Sequence, residues 1–164
     1  LPLIDKYDNL VVVRTFSKSR SMAGLRIGYA ISNPELIKAL NDVKYSYNSY
    51  TMNRPSLVLG VESIHDDAYF REKVGQIIAT RERFVKEIAE LGFTCLPSSA
   101  NFVFATHESI PAKEIFAAAK ENNIYVRYFD KPRIDNYLRI SIGTDAEMDA
   151  FVAFLKGYVE TKQN

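Results

Sequence analysis

Thr15-Phe16-Ser17-Lys18-Ser19-Arg20-Ser21-Met22-Ala23-Gly24-Leu25-Arg26-Ile27-Gly28-Tyr29 is the stretch that decides how the rest of the chain is read. The apolar run Leu10-Val11-Val12-Val13 precedes it and has the character of a buried strand. The text then loses all periodicity, fills with Ser, Lys, Arg and Gly, and turns apolar again from Leu25, where a second strand is expected. A polar, cationic loop between two strands is where a scaffold presents reactive groups. Lys18 lies among hydroxyls with Arg20 and Arg26 nearby in sequence. Neighbouring cations disfavour an ammonium ion, which lowers its pKa and frees the amine as a nucleophile. Arginines and hydroxyls together can also hold a phosphate dianion, the arginine bidentately. The competing reading is ordinary surface charge, since the chain holds 21 Lys and Arg. Two other lysine motifs are absent. Thr15 stands where a Ser-x-x-Lys motif needs serine, and no Gly-x-x-x-x-Gly-Lys occurs.

Thr15-Phe16-Ser17-Lys18 followed by Ala23-Gly24-Leu25-Arg26-Ile27-Gly28-Tyr29 resembles the lysine signature of the class I/II pyridoxal-phosphate-dependent aminotransferases. Several linked positions match, including the arginine eight residues after the lysine. The resemblance implies the fold type I architecture and pyridoxal 5'-phosphate as cofactor. By that likeness Lys18 is the Schiff-base lysine and the catalytic residue, and Thr15, Ser17 and Arg26 bind the cofactor phosphate. Arg20 has no place in the pattern and is expected to be a solvated loop charge.

A length of 164 residues is that of about one domain. A hydrophobic share of 47% and a charged share of 25% are those of an ordinary globular protein. The net charge of +1 gives no electrostatic case for nucleic acid or an anionic membrane, and no apolar run approaches a membrane span. The lone Cys95 cannot form an internal disulfide, so a reducing cytoplasm is expected, with Cys95 a small core residue. No metal site is expected. The chain starts at Leu1 without Met, which suggests part of a longer protein.

In order, strands are expected at Leu10–Arg14 and Leu25–Ile31. Asn33-Pro34 then starts a helix to about Val43. The aromatic stretch Lys44–Asn53 lacks a period and is expected to be a loop. A second helix covers Arg54–His65, with Leu57, Val58, Val61 and Ile64 on one face. Phe70, Val74, Ile77, Ile78, Phe84, Val85, Ile88 and Leu91 recur at helical steps, with charges on the opposite face and Gly92 as stop. Those charges are expected to be solvated and nothing more. Beyond Gly92, strands at Phe93–Leu96 and Asn101–Ala105, a helix from Ser109 to about Asn122, strands at Ile124–Arg127 and Tyr137–Ile142, and a helix opened by the capping box Thr144-Asp145-Ala146-Glu147 follow in turn. The expected class is α/β, with an α+β C-terminal domain of helices over a mainly antiparallel sheet. The division expected is residues 1–66 as the C-terminal part of a cofactor-binding large domain, 67–91 as a long connecting helix, and 92–164 as a small C-terminal domain.

Arg139 interrupts the strand Tyr137-Leu138-Arg139-Ile140-Ser141-Ile142, on the same face as Tyr137 and Ser141. On the residues alone it is either a paired or snorkelled structural arginine or, with Arg127, an anion receptor. Leu138-Arg139-Ile140-Ser141-Ile142-Gly143-Thr144 resembles the segment of the same family that receives the substrate's acid group. Taken with Ile124-Tyr125-Val126-Arg127, it is most similar to the histidinol-phosphate aminotransferase branch, where both arginines would contact the substrate phosphate. The resemblance implies transamination between histidinol phosphate and 2-oxoglutarate in histidine biosynthesis, by a cytoplasmic homodimer. Alternatives are an aromatic aminotransferase, a threonine-phosphate decarboxylase, or a non-enzymatic effector-binding domain. The likeness covers the C-terminal half of such an enzyme. The family's aspartate for the pyridine nitrogen has no counterpart here, so this stretch alone is expected to fold yet not transaminate. One departure is local. Ser46-Tyr47-Asn48-Ser49 stands where relatives have Pro-Tyr/Phe-Asn-Val, and Tyr47, Asn48 and Tyr50 either line the site or cover a domain boundary.

Overall fold

In the computed structural model, which describes residues 1–163, the first strand starts only at Val12 of the expected Leu10–Arg14, and it is not buried, since Val13 is 69% exposed. Strand β1 (Val12–Thr15) pairs antiparallel with β2 (Gly28–Ile31), Val13 opposite Ala30 and Thr15 opposite Gly28. The second strand starts later than its apolar text, because Ala23–Leu25 form a 3-10 turn. Helix α1 (Pro34–Tyr47) follows, and Asn33 caps it by accepting from the Leu36 N–H at 2.9 Å. α1 runs past Val43 through part of the stretch expected to be a loop. Ser46 Oγ donates back to the Asp42 carbonyl at 2.7 Å, which absorbs a residue type that otherwise argues against helix. Asn53 caps α2 (Arg54–His65) through the Ser56 N–H at 2.8 Å.

Helix α3 (Asp67–Ala89) is the long amphipathic helix. Two compact units divide within it, Leu1–Glu72 and Lys73–Asn164. Gly92 ends its exit turn with φ +84°, where a Cβ would lie 3.0 Å from His107 Nε2. β3 (Phe93–Cys95) and β4 (Phe102–His107) form a hairpin, α4 (Ala112–Glu121) follows, and β5 (Arg127–Tyr128), β6 (Leu138–Ser141) and α5 (Asp145–Gln163) complete the second unit. The four strands make one antiparallel sheet in the order β3-β4-β6-β5. Mixed helix and sheet with antiparallel pairing is the class expected. The strand expected at Ile124–Arg127 is displaced to Arg127–Tyr128. The register pairs Tyr128 with Leu138, while Ile124 is spent closing α4 through a bond to Ala119. Ser109 does not cap α4. Asn136, from the loop before β6, accepts from the Ala112 N–H at 3.0 Å instead.

Alternation sets the second core. Val103 and Ala105 on β4 and Leu138 and Ile140 on β6 face inward, against Phe84 and Ile88 of α3, Ile115 of α4 and Met148, Phe151 and Leu155 of α5. The odd residues of β6, Arg139 and Ser141, are left on the open face. Phe84 is fully buried and stacks on Phe151 at 6.0 Å. Phe84→Ala should therefore cost about 3–5 kcal/mol in urea denaturation of this unit. A loss below about 1 kcal/mol would place Phe84 outside the core.

The charged face of α3 is more than solvated. Arg83 binds Glu87 at 2.9 Å, Asp149 at 2.6 Å and Asp145 at 3.0 Å, which joins α3 to α5. The capping box forms as its spacing predicts. Glu147 Oε2 accepts from the Thr144 N–H at 2.7 Å and its Oγ1–H at 2.9 Å. Those two donors hold the Glu147 carboxyl below its ordinary value. A depressed folded value stabilises above the unfolded value, and the contribution is lost as pH falls through the folded one. Glu147→Gln should thus leave the dependence of stability on pH shallower below about pH 4.3, as acid titration followed by circular dichroism would read.

Candidate functional site

The lysine loop is closed by its own backbone. Phe16 N donates to the Ile27 carbonyl at 3.1 Å, and the Phe16 carbonyl accepts from Arg20 N at 3.3 Å and Met22 N at 3.1 Å. Ser21 N donates to the Lys18 carbonyl at 3.1 Å, so Lys18 sits in the middle of a hydrogen-bonded turn. Ser21 and Arg26, both at φ 55°, take the left-handed backbone that lets the turn reverse. At Gly28 a Cβ would meet the Arg14 carbonyl at 3.2 Å, so the strand pair closes tightly under the loop.

Helix α2 supports this loop with a face that hydrophobic periodicity does not reveal. Ser56, 1% exposed, donates its hydroxyl to the Leu25 carbonyl at 3.1 Å. At Gly60 a Cβ would lie 3.0 Å from Ile27 Cδ1, so the absence of a side chain is what lets α2 approach. The residues expected to be the buried face of α2 are open instead: Leu57, Val58, Val61 and Ile64 are each about half exposed.

Of the predicted loop residues, Lys18 is exposed and its amine has no partner among the described residues. Arg26 spends Nη1 on the Ala23 carbonyl at 3.0 Å and keeps its other donors. Thr15 Oγ1 accepts from the Ser17 N–H at 2.9 Å, which sets the first corner of the loop. A primary amine, two hydroxyls and a guanidinium are therefore presented by one short loop. A recess of about 480 Å³ beside it is lined by Thr15, Phe16, Ser19 and Arg20, and its lining does not include Ser17, Lys18 or Arg26. Arg20 is not a solvated charge. Its side chain is 16% exposed and reaches Ser63, Asp67 and Phe70.

The second constellation lies in the other unit, on the open face of the four-stranded sheet. β5 and β6 pair with Arg127 directly opposite Arg139. The Arg127 guanidinium carbon is 5.4 Å from the Phe129 ring, and that of Arg139 is 5.5 Å from Phe102 and 5.9 Å from Phe129. Among the described residues neither guanidinium has a hydrogen-bond or ion-pair partner. Like charges opposite one another across an antiparallel pair are destabilising. An anion bound between them removes that cost, so the pair has the properties of an anion receptor on an aromatic bed. Phe104, stacked on Tyr137 at 4.7 Å, extends the bed. Tyr137 is placed on the face of Arg139 by alternation, whereas Phe102, Phe104 and Phe129 escape the sequence reading.

Tyr47 and Tyr50 are 92% and 93% exposed, and Asn48 ends α1, where its side chain accepts from the Tyr50 N–H at 3.2 Å. Cys95 is half-buried on β3, and burial pushes its thiol up to about 11, which suits a packed residue and not a nucleophile. No group of three or more His, Cys, Asp or Glu able to hold a metal occurs among the described residues. No helix there is long and apolar enough to cross a membrane.

The chain is 51% identical over 154 residues to a histidinol-phosphate aminotransferase of Brachyspira hyodysenteriae, covering 94% of this chain and 44% of that protein. The solved structure of the histidinol-phosphate aminotransferase from Clostridium acetobutylicum superposes with a TM-score of 0.87 at 26% identity, over 98% of this chain and 48% of that one. That of the Sinorhizobium meliloti enzyme in complex with pyridoxal-5'-phosphate does so with 0.82 at 28% identity, over 98% and 45%. The chain thus spans a little under half the length of these relatives. The family model for aminotransferase class I and II matches residues 1–155, so the chain belongs to that family.

Proposed function

We propose that this chain supplies the cofactor-bearing lysine and the substrate-anion receptor of a pyridoxal-phosphate-dependent histidinol-phosphate:2-oxoglutarate aminotransferase. The observation that carries the substrate assignment is the side-by-side pair Arg127 and Arg139, without a carboxylate partner among the described residues. The donor set of the loop fits the cofactor. An uncommitted amine suits an aldehyde carbon, and Arg26 with Thr15 and Ser17 suits a phosphate. When bound, pyridoxal 5'-phosphate supplies the electron sink that makes the substrate's carbon–hydrogen bond acidic.

Three parts fall to this chain: the amine, the hold on the cofactor phosphate and the substrate-anion receptor. The Lys18 amine would hold the cofactor at its aldehyde carbon, and as a free amine its Nζ would be the group that takes a proton from the substrate carbon bearing nitrogen and gives it back. Arg26 fixes the phosphate end of the cofactor and so its orientation. Arg127 and Arg139 grip the substrate phosphate, and Phe129 gives both guanidinium planes a surface to lie on.

Residues 1–66 are proposed to belong to a large domain, 67–91 to a connecting helix and 92–164 to a small domain. The open apolar side of α2 supports burial against further protein, and the assembly proposed is a cytoplasmic homodimer. These 164 residues by themselves are proposed not to turn over, since none of their carboxylates is assigned to the cofactor's ring nitrogen.

Assaying the intact protein with 2-oxoglutarate tests the substrate. Histidinol phosphate should exceed phenylalanine and histidinol by about 100-fold or more in kcat/KM, as expected where two charge-assisted contacts are at stake. Preference for phenylalanine, or decarboxylation of threonine phosphate, would replace this reading with the corresponding alternative.

A further inference from the structure

We infer that Arg20 is the positioning residue of Lys18, seated on the corner between α2 and α3; this rests on the reading of Lys18 as the cofactor-bearing lysine. Arg20 is two residues beyond Lys18, at the far end of the hydrogen-bonded turn that starts at Phe16. Its side chain is committed three times over. Nη1 donates to the Ser63 carbonyl near the end of α2, Nη2 lies 3.7 Å from Asp67 Oδ1 in the first turn of α3, and the guanidinium carbon is 3.9 Å from the centroid of the Phe70 ring. The two limbs of the loop are thus held separately. Ser56 and Gly60 hold the returning limb at Leu25 and Ile27, and Arg20 holds the limb that carries Lys18.

The chemistry needs such a hold. A lysine that must attach a cofactor and then move a proton has to return to the same place within about 0.5 Å, and a long exposed side chain has no contact of its own to direct it. Lys18 has no side-chain partner among the described residues, so the placement of its backbone is what aims it. Arginine suits the seat better than lysine. One flat group donates to a carbonyl, faces a carboxylate and stacks on a ring at once, which a point-charge ammonium does not do. A merely solvated arginine would make none of these contacts.

The test uses the intact protein with pyridoxal 5'-phosphate and the variants Arg20→Ala, Arg20→Lys and Phe70→Leu. Three quantities are read: amide exchange over Ser17–Ser21 against Val103–Ala105, the pH midpoint of the cofactor's visible absorbance, and the fraction of borohydride-fixed label on Lys18. Arg20→Ala should speed exchange over Ser17–Ser21 about tenfold or more with Val103–Ala105 unchanged, move the absorbance midpoint, and spread label to other lysines. Phe70→Leu should do the same to a lesser degree. Arg20→Lys, which keeps the charge opposite Asp67, should fall between wild type and Arg20→Ala, and it carries the test if the alanine variant does not fold. Wild-type loop exchange, midpoint and label in the Arg20 variants, with only the melting temperature lowered, would make Arg20 a fold residue and overturn the inference alone. Absence of label from Lys18 in the wild type would overturn the reading beneath it as well.

Discussion

Lys18→Ala in the intact protein should lower kcat for transamination by about 10⁴-fold, the upper end of what a positioned acid–base contributes, because the same amine also attaches the cofactor. The fold should hardly notice. Lys18 is exposed and its amine makes no hydrogen bond or ion pair among the described residues, so the change in stability should stay within about 0.5 kcal/mol. That separation is the informative part. Added methylamine should recover part of the lost rate, since a free amine can move the proton but is not held in place. A variant with a tenth or more of wild-type activity would mean that Lys18 is one of the ordinary surface charges.

The second large effect is expected at Arg139. Arg139→Ala should raise KM for the phosphorylated substrate by about 30-fold to several thousand-fold, the equivalent of 2–5 kcal/mol for a charge-assisted contact. Arg127→Ala should act in the same direction. Their effects on folding have the opposite sign from those of a structural arginine. Arg127 and Arg139 face each other across β5 and β6 with no anion between them, so removing either relieves like-charge repulsion of about 0.2–1 kcal/mol. An Arg139→Ala protein that melts earlier and binds substrate unchanged would make Arg139 a structural residue of the sheet.

How much of this is legible in the sequence differs with the kind of signal. Alternation along β6 puts Leu138 and Ile140 in the core and Arg139 on the open face, and the structure keeps that pattern because the sheet has one packed face. The capping box at Thr144 and Glu147 is local, and it forms as read. Long-range partners are where sequence reading fails. Nothing near Arg20 in the chain announces Ser63, Asp67 or Phe70, so a packed strut passes for a solvated charge. The inner face of α2 is Ser56 and Gly60, small residues that a hydrophobic pattern ignores, while the visible apolar row on the same helix stays open. Helix α1 outruns its periodicity: it runs to Tyr47, and the Ser46 hydroxyl, a polar group that argues for a loop, bonds back to the Asp42 carbonyl within it. The lysine signature itself is legible only as a linked pattern, since its physics alone fits a surface loop equally well.

The most direct test of the account is to fix the cofactor in place. The intact protein is equilibrated with pyridoxal 5'-phosphate, reduced with borohydride, digested and mapped by mass spectrometry. A single pyridoxyl group is expected on the peptide that contains Lys18, and prior incubation with histidinol phosphate should prevent its attachment. Label on another lysine, or scattered over many, would contradict the account.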